Sequence, residues 1–282
     1  MLLRSPQLPA RPEQYEKFTI KATSLRRPIL ILAVCAALAA PASAGAQTPP
    51  RLSGLDKGED YRVCTQIAQE TPEIGFEAAI TWRDAGGGSP ALHCVALALF
   101  GLGQVEEAAK RLEELALDMP DASNRERAAI LNQAGNAWLS RRKFDRADAN
   151  FKKSLELDGE NPEHWIDHGI VLAETGALWD AVDSFSEALT RAPGHIEALL
   201  FRATAYRVLN VPDLARDDVD KVLSAAPIQP SALLELGMLH AKAGEMDDAR
   251  AVWLQVIEAS PDSPAADAAR QNLEKIDVRK KP

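Results

Sequence analysis

The sequence is poor in cysteine, in aromatic residues and in positive charge, and each shortage removes a class of protein. Three cysteines, Cys35, Cys64 and Cys94, are too few for a small scaffold held together by disulfides. Aromatic residues make up 5% of the chain while small and aliphatic ones abound, a balance that favours helices. The formal charge is −9, so a broad basic surface for nucleic acid is not expected. Catalytic signatures are missing too: there is no G-x-S-x-G, no H-E-x-x-H and no G-x-x-x-x-G-K-[ST]. The glycine-rich "DAGGGSP" at 84–90 lacks the lysine that follows a phosphate loop, so it reads as a link between helices. Neither an enzymatic activity nor a cofactor is expected.

No run reaches the roughly 18 apolar residues of a membrane span. The apolar stretch 29–40 follows Arg26 and Arg27 and precedes small residues that offer A-x-A cleavage after Ala44 or Ala46. That order marks residues 1–46 as a secretory signal peptide with its leader, and 47–59 as a linker. The expected location is periplasmic or secreted, without stable membrane insertion once the signal is removed. Two other export routes fit less well. Val34 is bulky for a lipid-attachment box ahead of Cys35, and Leu25 replaces the polar residue usual before a twin-arginine pair. The stretch before Arg26 is longer than such a leader needs, so the true start is left open. The leader carries six basic residues against Glu13 and Glu16, so its removal leaves a charge near −13. An acidic surface of that size favours solubility and repels anionic partners.

What the chain does have is a period. Ala147, Ala181, Ala215 and Ala249 stand 34 residues apart. Four residues after each comes a large apolar side chain, Phe151, Phe185, Val219 or Trp253, and twelve before each a small one, Gly135, Gly169, Ala203 or Gly237. Pro193, Pro227 and Pro261 follow their alanines by twelve, where the first copy has Gly159. Leu178, Val182, Phe185 and Leu189 form one apolar helical stripe, and Gly176 suits a left-handed helix end before it. Each period is thus a helix–turn–helix closed by a breaker, with small residues letting its helices approach. Neither helix can bury its apolar face alone, so the units must stack.

A 34-residue unit with this pattern resembles the tetratricopeptide repeat, in exported bacterial form. Residues 162–193 carry Trp165, Gly169, Ala181, Phe185, Ala188 and Pro193, with His168 and Leu172 as departures from the family's Leu and Tyr. The resemblance implies an all-α, right-handed solenoid of stacked hairpins over residues 60–276. Its units would be about 60–88, 89–122, 128–161, 162–195, 196–229 and 230–263, with a capping helix at 264–276 and a frayed tail at 277–282. The first unit is short, with 30 residues from Ala78 to Ala108, and "DMPDASNRERA" inserts five residues before the third.

The family lines its concave groove with fixed positions of each unit's first helix. Carried over, these are Asn132, Asn136 and Ser140; then Glu163, Ile166, Ile170 and Glu174; Leu200, Thr204 and Arg207; and Leu234, Met238 and Lys242. Asn132 and Asn136 lie four apart, so their amides share a face and are expected to meet the backbone of an extended peptide. The positions with which some members clamp a terminal carboxylate read Asn132, Asn136, Asp167, Glu197 and Phe201 here, and the acids disfavour that ligand. The expected partner is a protein or peptide with an apolar face. An assembly role through the convex face or the repeat ends is the alternative.

Three smaller expectations remain. In an oxidising compartment Cys64 and Cys94 are expected to bridge, although equivalent residues of stacked helices ordinarily stand a helix diameter apart; two buried thiols are the alternative. His164 and His168 in "HWIDH" share a face at metal-ligand spacing but lack a third ligand, so they are expected to be packed, hydrogen-bonded histidines. Trp82, Trp138, Trp165 and Trp253 are expected in the core, and Trp179 as an exposed contact.

Overall fold

The computed structural model describes residues 57–119 and 122–279, and all regular structure among them is helical. The expected signal peptide, its cleavage sites and Pro120 lie outside the described residues. Helices follow one another in hairpins: α1 (Lys57–Glu70) with α2 (Pro72–Asp84), α3 (Gly88–Gly101) with α4 (Val105–Leu117), and α5 (Asn124–Ser140) with α6 (Phe144–Leu157). Then come α7 (Pro162–Glu174) with α8 (Leu178–Arg191), α9 (Ile196–Val208) with α10 (Pro212–Ala225), and α11 (Pro230–Ala243) with α12 (Met246–Ala259). The last helix, α13 (Pro264–Arg279), packs on α11 and α12 and runs into the segment expected to fray. The insertion before α5 is partly absorbed as helix, since α5 has 17 residues against 13 in α7. Ser123 caps that extra turn, and its backbone N–H donates to the Glu126 carboxylate in return.

Three of the hairpins close where a side chain is missing. A Cβ placed on Gly135 would stand 2.5 Å from the Phe151 ring, and Gly169 and Gly237 leave even less room to Phe185 and Trp253. The hairpin of α9 and α10 inverts the sizes. Ala203 brings a Cβ, and the residue opposite shrinks to Val219; both are fully buried. The added methyl is thus offset by a smaller partner, as dense packing requires.

The turn between helices repeats as well. Gly103, Arg142, Gly176, Asn210 and Gly244 all have positive φ, from 56° to 87°. Glycine takes that conformation freely and asparagine tolerates it, whereas a residue such as arginine pays about 1–2 kcal/mol. Arg142 offsets the strain by lying over the Phe144 ring at 5.0 Å and facing Glu174 at 3.7 Å.

At the N-terminal end the shortened first unit lets α1 lean against α3. Small residues line the contact: Ala68 on α1, and Ala91 and Ala98 on α3, all essentially without exposure. Cys64 and Cys94 lie in the same cluster, fully buried, with Cα atoms 6.2 Å apart. That is within the reach of a bridge and well inside the spacing of regularly stacked helices.

Candidate functional site

The first helices of successive hairpins touch one another, α5 on α7, α7 on α9, α9 on α11 and α11 on α13, whereas the second helices do not meet to that extent. A stack whose first helices are closer together is curved, with those helices on the inner face. The inner face is where the groove was expected.

A ladder of polar contacts runs along it. Tyr61 donates to Nδ1 of His93 (2.6 Å), and Nε2 of His93 meets Oε1 of Gln133 (2.7 Å), joining α1, α3 and α5. Asn132 and Asn136 on α5 both donate to Oδ2 of Asp167 on α7, at 2.5 and 2.8 Å. His195, at the N-cap of α9, reaches Glu163 on α7 at 2.8 Å. Thr204 and Arg207 on α9 hold Glu235 on α11, at 3.2 and 2.5 Å, and Lys242 donates to the Arg207 carbonyl. Asn272 on α13 donates to the Met238 sulfur at 3.2 Å.

This ladder engages several of the expected groove residues in contacts between repeats. Asp167 takes one N–H from each of the two asparagine amides. Asn132 is in fact nearly buried (9% exposed), and Ile166 at 2% belongs to the core between α7 and α8. Ser140 bonds the Ala137 carbonyl of its own helix, and Glu174 faces Arg142. Thr204, Arg207 and Lys242 are engaged as above. Ile170, Leu200, Leu234 and Met238 remain half-buried beside the core and partly open.

Gln133, Asp167 and Glu235 do the reaching, and they were not among the expected site residues. All occupy the sixth position of a 34-residue unit. That recurrence was visible in the sequence. At the same position Phe201 substitutes an apolar contact, its ring stacked 5.7 Å from Phe185.

Other expectations can be placed. His164 is buried among Ser154 Oγ and the Asp158 carbonyl, both at 3.1 Å from Nδ1, and Asn161. His168 turns instead to Asp148 and Ser184, so the two rings do not converge on one site. Burial lowers the His168 pKa, against the pull of Asp148. Trp82, Trp138 and Trp253 are core, and Trp165 is half-buried with Nε1 on the Gly159 carbonyl. Trp179 is no exposed contact: it packs edge-on against Tyr206 of the next hairpin, ring centroids 6.5 Å apart.

His240, Glu245 and Asp248 bring ligand atoms within 4.8 Å of one another at the α11–α12 turn. Helix dipoles account for them, with the histidine in the last turn of α11 and the acids at the start of α12. A cleft of about 400 Å³ also opens between α2, α3 and α4, with Phe76, Ile80 and Leu99 on its floor and Arg83, Glu107 and Arg111 at its rim.

Asp167 carries the clearest electrostatic tension. Burial raises its pKa, the amides of Asn136 and Asn132 work against the rise, Glu163 adds to it and His164 opposes it. A carboxyl whose folded pKa exceeds its unfolded value costs stability once ionised. The cost is present at neutral pH and vanishes as pH falls through the folded-state pKa. Asp167→Asn keeps an acceptor for both amides, so its Tm at neutral pH is expected to match or exceed that of the parent. The difference should shrink on acidification in parallel thermal melts. A neutral-pH loss of stability contradicts this.

Known proteins show the same architecture. The family model "Tetratricopeptide repeat" matches residues 132–196 and 202–264. Tetratricopeptide repeat protein 36 of Caenorhabditis elegans is 34% identical over 100 residues, 35% of this chain and 56% of that protein. The chain spans only between 14% and 56% of the length of the curated relatives it matches. Among solved structures, pilF of Pseudomonas aeruginosa superposes with a TM-score of 0.58 at 15% identity, covering 77% of this chain and 99% of that one. YrrB, described as a TPR protein with an unusual peptide-binding site, superposes with a TM-score of 0.51 at 19% identity, covering 67% and 95%. At such identities the likeness is one of fold. The period, the glycine–aromatic pairs and the family match agree: residues 132–264 are built of tetratricopeptide repeats.

Proposed function

We propose that the protein is an exported scaffold that holds a peptide or helix of an envelope protein against its inner face. The observation that carries this reading is the set of half-open apolar side chains Ile170, Leu200, Leu234 and Met238 on the first helices of three successive hairpins, edged by polar groups. A mixed surface of this kind suits an amphipathic segment. Export is supported by the basic, apolar and small-residue order of residues 26–46, and by two buried cysteines at bridging distance. YrrB offers a precedent for peptide binding on this fold. A second reading, assembly through the outer face, is favoured by the cleft over Phe76 and Ile80.

A photo-crosslinking amino acid placed at Leu200 or Met238 in the protein's own cell envelope is expected to give a discrete adduct, and one at Ile80 none. The reverse pattern would establish the outer face as the contact surface.

Cys64 and Cys94 are proposed to form a disulfide. A bridge closing a loop of that length contributes about 3–4 kcal/mol in the chain-entropy model. Unfolded in denaturant without reductant, the protein cleaved after Ala44 or Ala46 should show no free thiol, and two after reduction, with a lower Tm. Two free thiols before reduction would overturn the bridge.

A further inference from the structure

The acids at the sixth position of α7 and α11 are placed alike and treated differently. Asp167 and Glu235 stand 68 residues apart, two repeat steps, and each reaches back to the first helix of the hairpin before it. Glu235 meets a cation there, Arg207 Nε at 2.5 Å. Asp167 meets only the neutral amides of Asn132 and Asn136. Among the described residues no lysine or arginine pairs with it. His164, its neighbour on α7, turns its ring to Ser154, Asp158 and Asn161.

A second observation at the same place concerns Asn132. It is nine-tenths buried, its Nδ2 is committed to Asp167, and its Oδ1 has no hydrogen-bond partner. An uncompensated carboxylate therefore lies beside an unfilled carbonyl acceptor. What the locus lacks is donors and positive charge. Asn136, the other amide, is exposed, so the locus opens onto the inner face. Its surroundings add to the same need. Glu163 and Glu197 are exposed at the N-terminal ends of α7 and α9; Glu163 has His195, and Glu197 has no ion pair or hydrogen bond among the described residues. Toward α9 the floor is apolar, with Ile170, Leu200 and Phe201 half-buried.

We propose that Asp167, Asn132 and Asn136 form a subsite for the side-chain cation of an arginine or lysine in a bound peptide. That cation does for Asp167 what Arg207 does for Glu235. Arginine, with five N–H donors in a planar fork, can supply both a carboxylate and an adjoining carbonyl. An apolar residue next to it in the peptide would lie on Ile170 and Leu200. The occupant is thus a basic, partly apolar segment, complementary to the acidic inner edge. This rests on the reading that the inner face takes a peptide.

The test is selection of random phage-displayed peptides against the purified chain and against Asp167→Asn, which keeps an acceptor for both amides and whose folding is checked by circular dichroism. The selected peptide is then measured by fluorescence anisotropy, with its arginine intact or replaced by neutral citrulline. Enrichment of arginine or lysine is expected, with binding weakened about tenfold or more by either Asp167→Asn or citrulline. Peptides without a basic residue that bind both proteins equally would overturn the subsite and leave the groove reading standing. Basic peptides indifferent to Asp167→Asn would overturn its location. Failure of the parent chain to select any peptide would remove both readings.

Discussion

A helix hairpin has almost no interior, and three of these close where a methyl group is absent at the crossing of their two helices. Gly135, Gly169 and Gly237 let Phe151, Phe185 and Trp253 lie flat on backbone, which brings the helices of a pair together and buries a large ring in the gap. The exception obeys the same constraint, since Ala203 restores the methyl and Val219 gives up the ring. The close approach sets the distance between the helices, the distance sets the stripe each hairpin offers its neighbours, and the stack follows from those stripes. Dense packing makes the dependence steep, because an added methylene has nowhere to go.

Stacking in turn decides what the inner face can do. First helices are drawn close enough for side chains to bridge from one hairpin to the next, and Gln133, Asp167 and Glu235 use that proximity. Polar residues that would otherwise face a partner are thereby committed to joining repeats. Such bridges keep buried or half-buried polar atoms satisfied while the apolar faces supply most of the association. What is left over for another molecule is narrower than the groove positions imply. It consists of the half-open aliphatic row from Ile170 to Met238 and the few groups the ladder leaves short of a partner.

The fold was legible because its cause is periodic. A small residue, a ring sixteen positions later and a breaker at the end recur at the same step, and the spacing of Gly135 and Phe151 needs no three-dimensional knowledge to be seen. The compensation between Ala203 and Val219 was on the page too, once paired positions are compared rather than read singly. The site was less legible, because a position in a repeat tells which face a residue is on and not what arrives opposite it. Asn132 and Ile166 share the same position of successive units, yet one is held by an acid from the next hairpin and the other sinks into the core. Trp179 misled for the same reason: its own helix leaves it outside, and Tyr206 of the following hairpin covers it. The approach of α1 to α3 was legible only as an irregular spacing, since the lean depends on the alanines between them.

The constraint at the hairpin crossing is open to direct measurement by a double-mutant cycle in urea on Gly169 and Phe185. Gly169→Ala alone is expected to destabilise by about 1–3 kcal/mol through overpacking. Combined with Phe185→Val, which recreates the pairing found at Ala203 and Val219, the glycine substitution should cost far less, leaving a coupling of about 1 kcal/mol or more. Costs that simply add, within about 0.5 kcal/mol, would contradict the account. The missing methyl would then not be what brings the helices together.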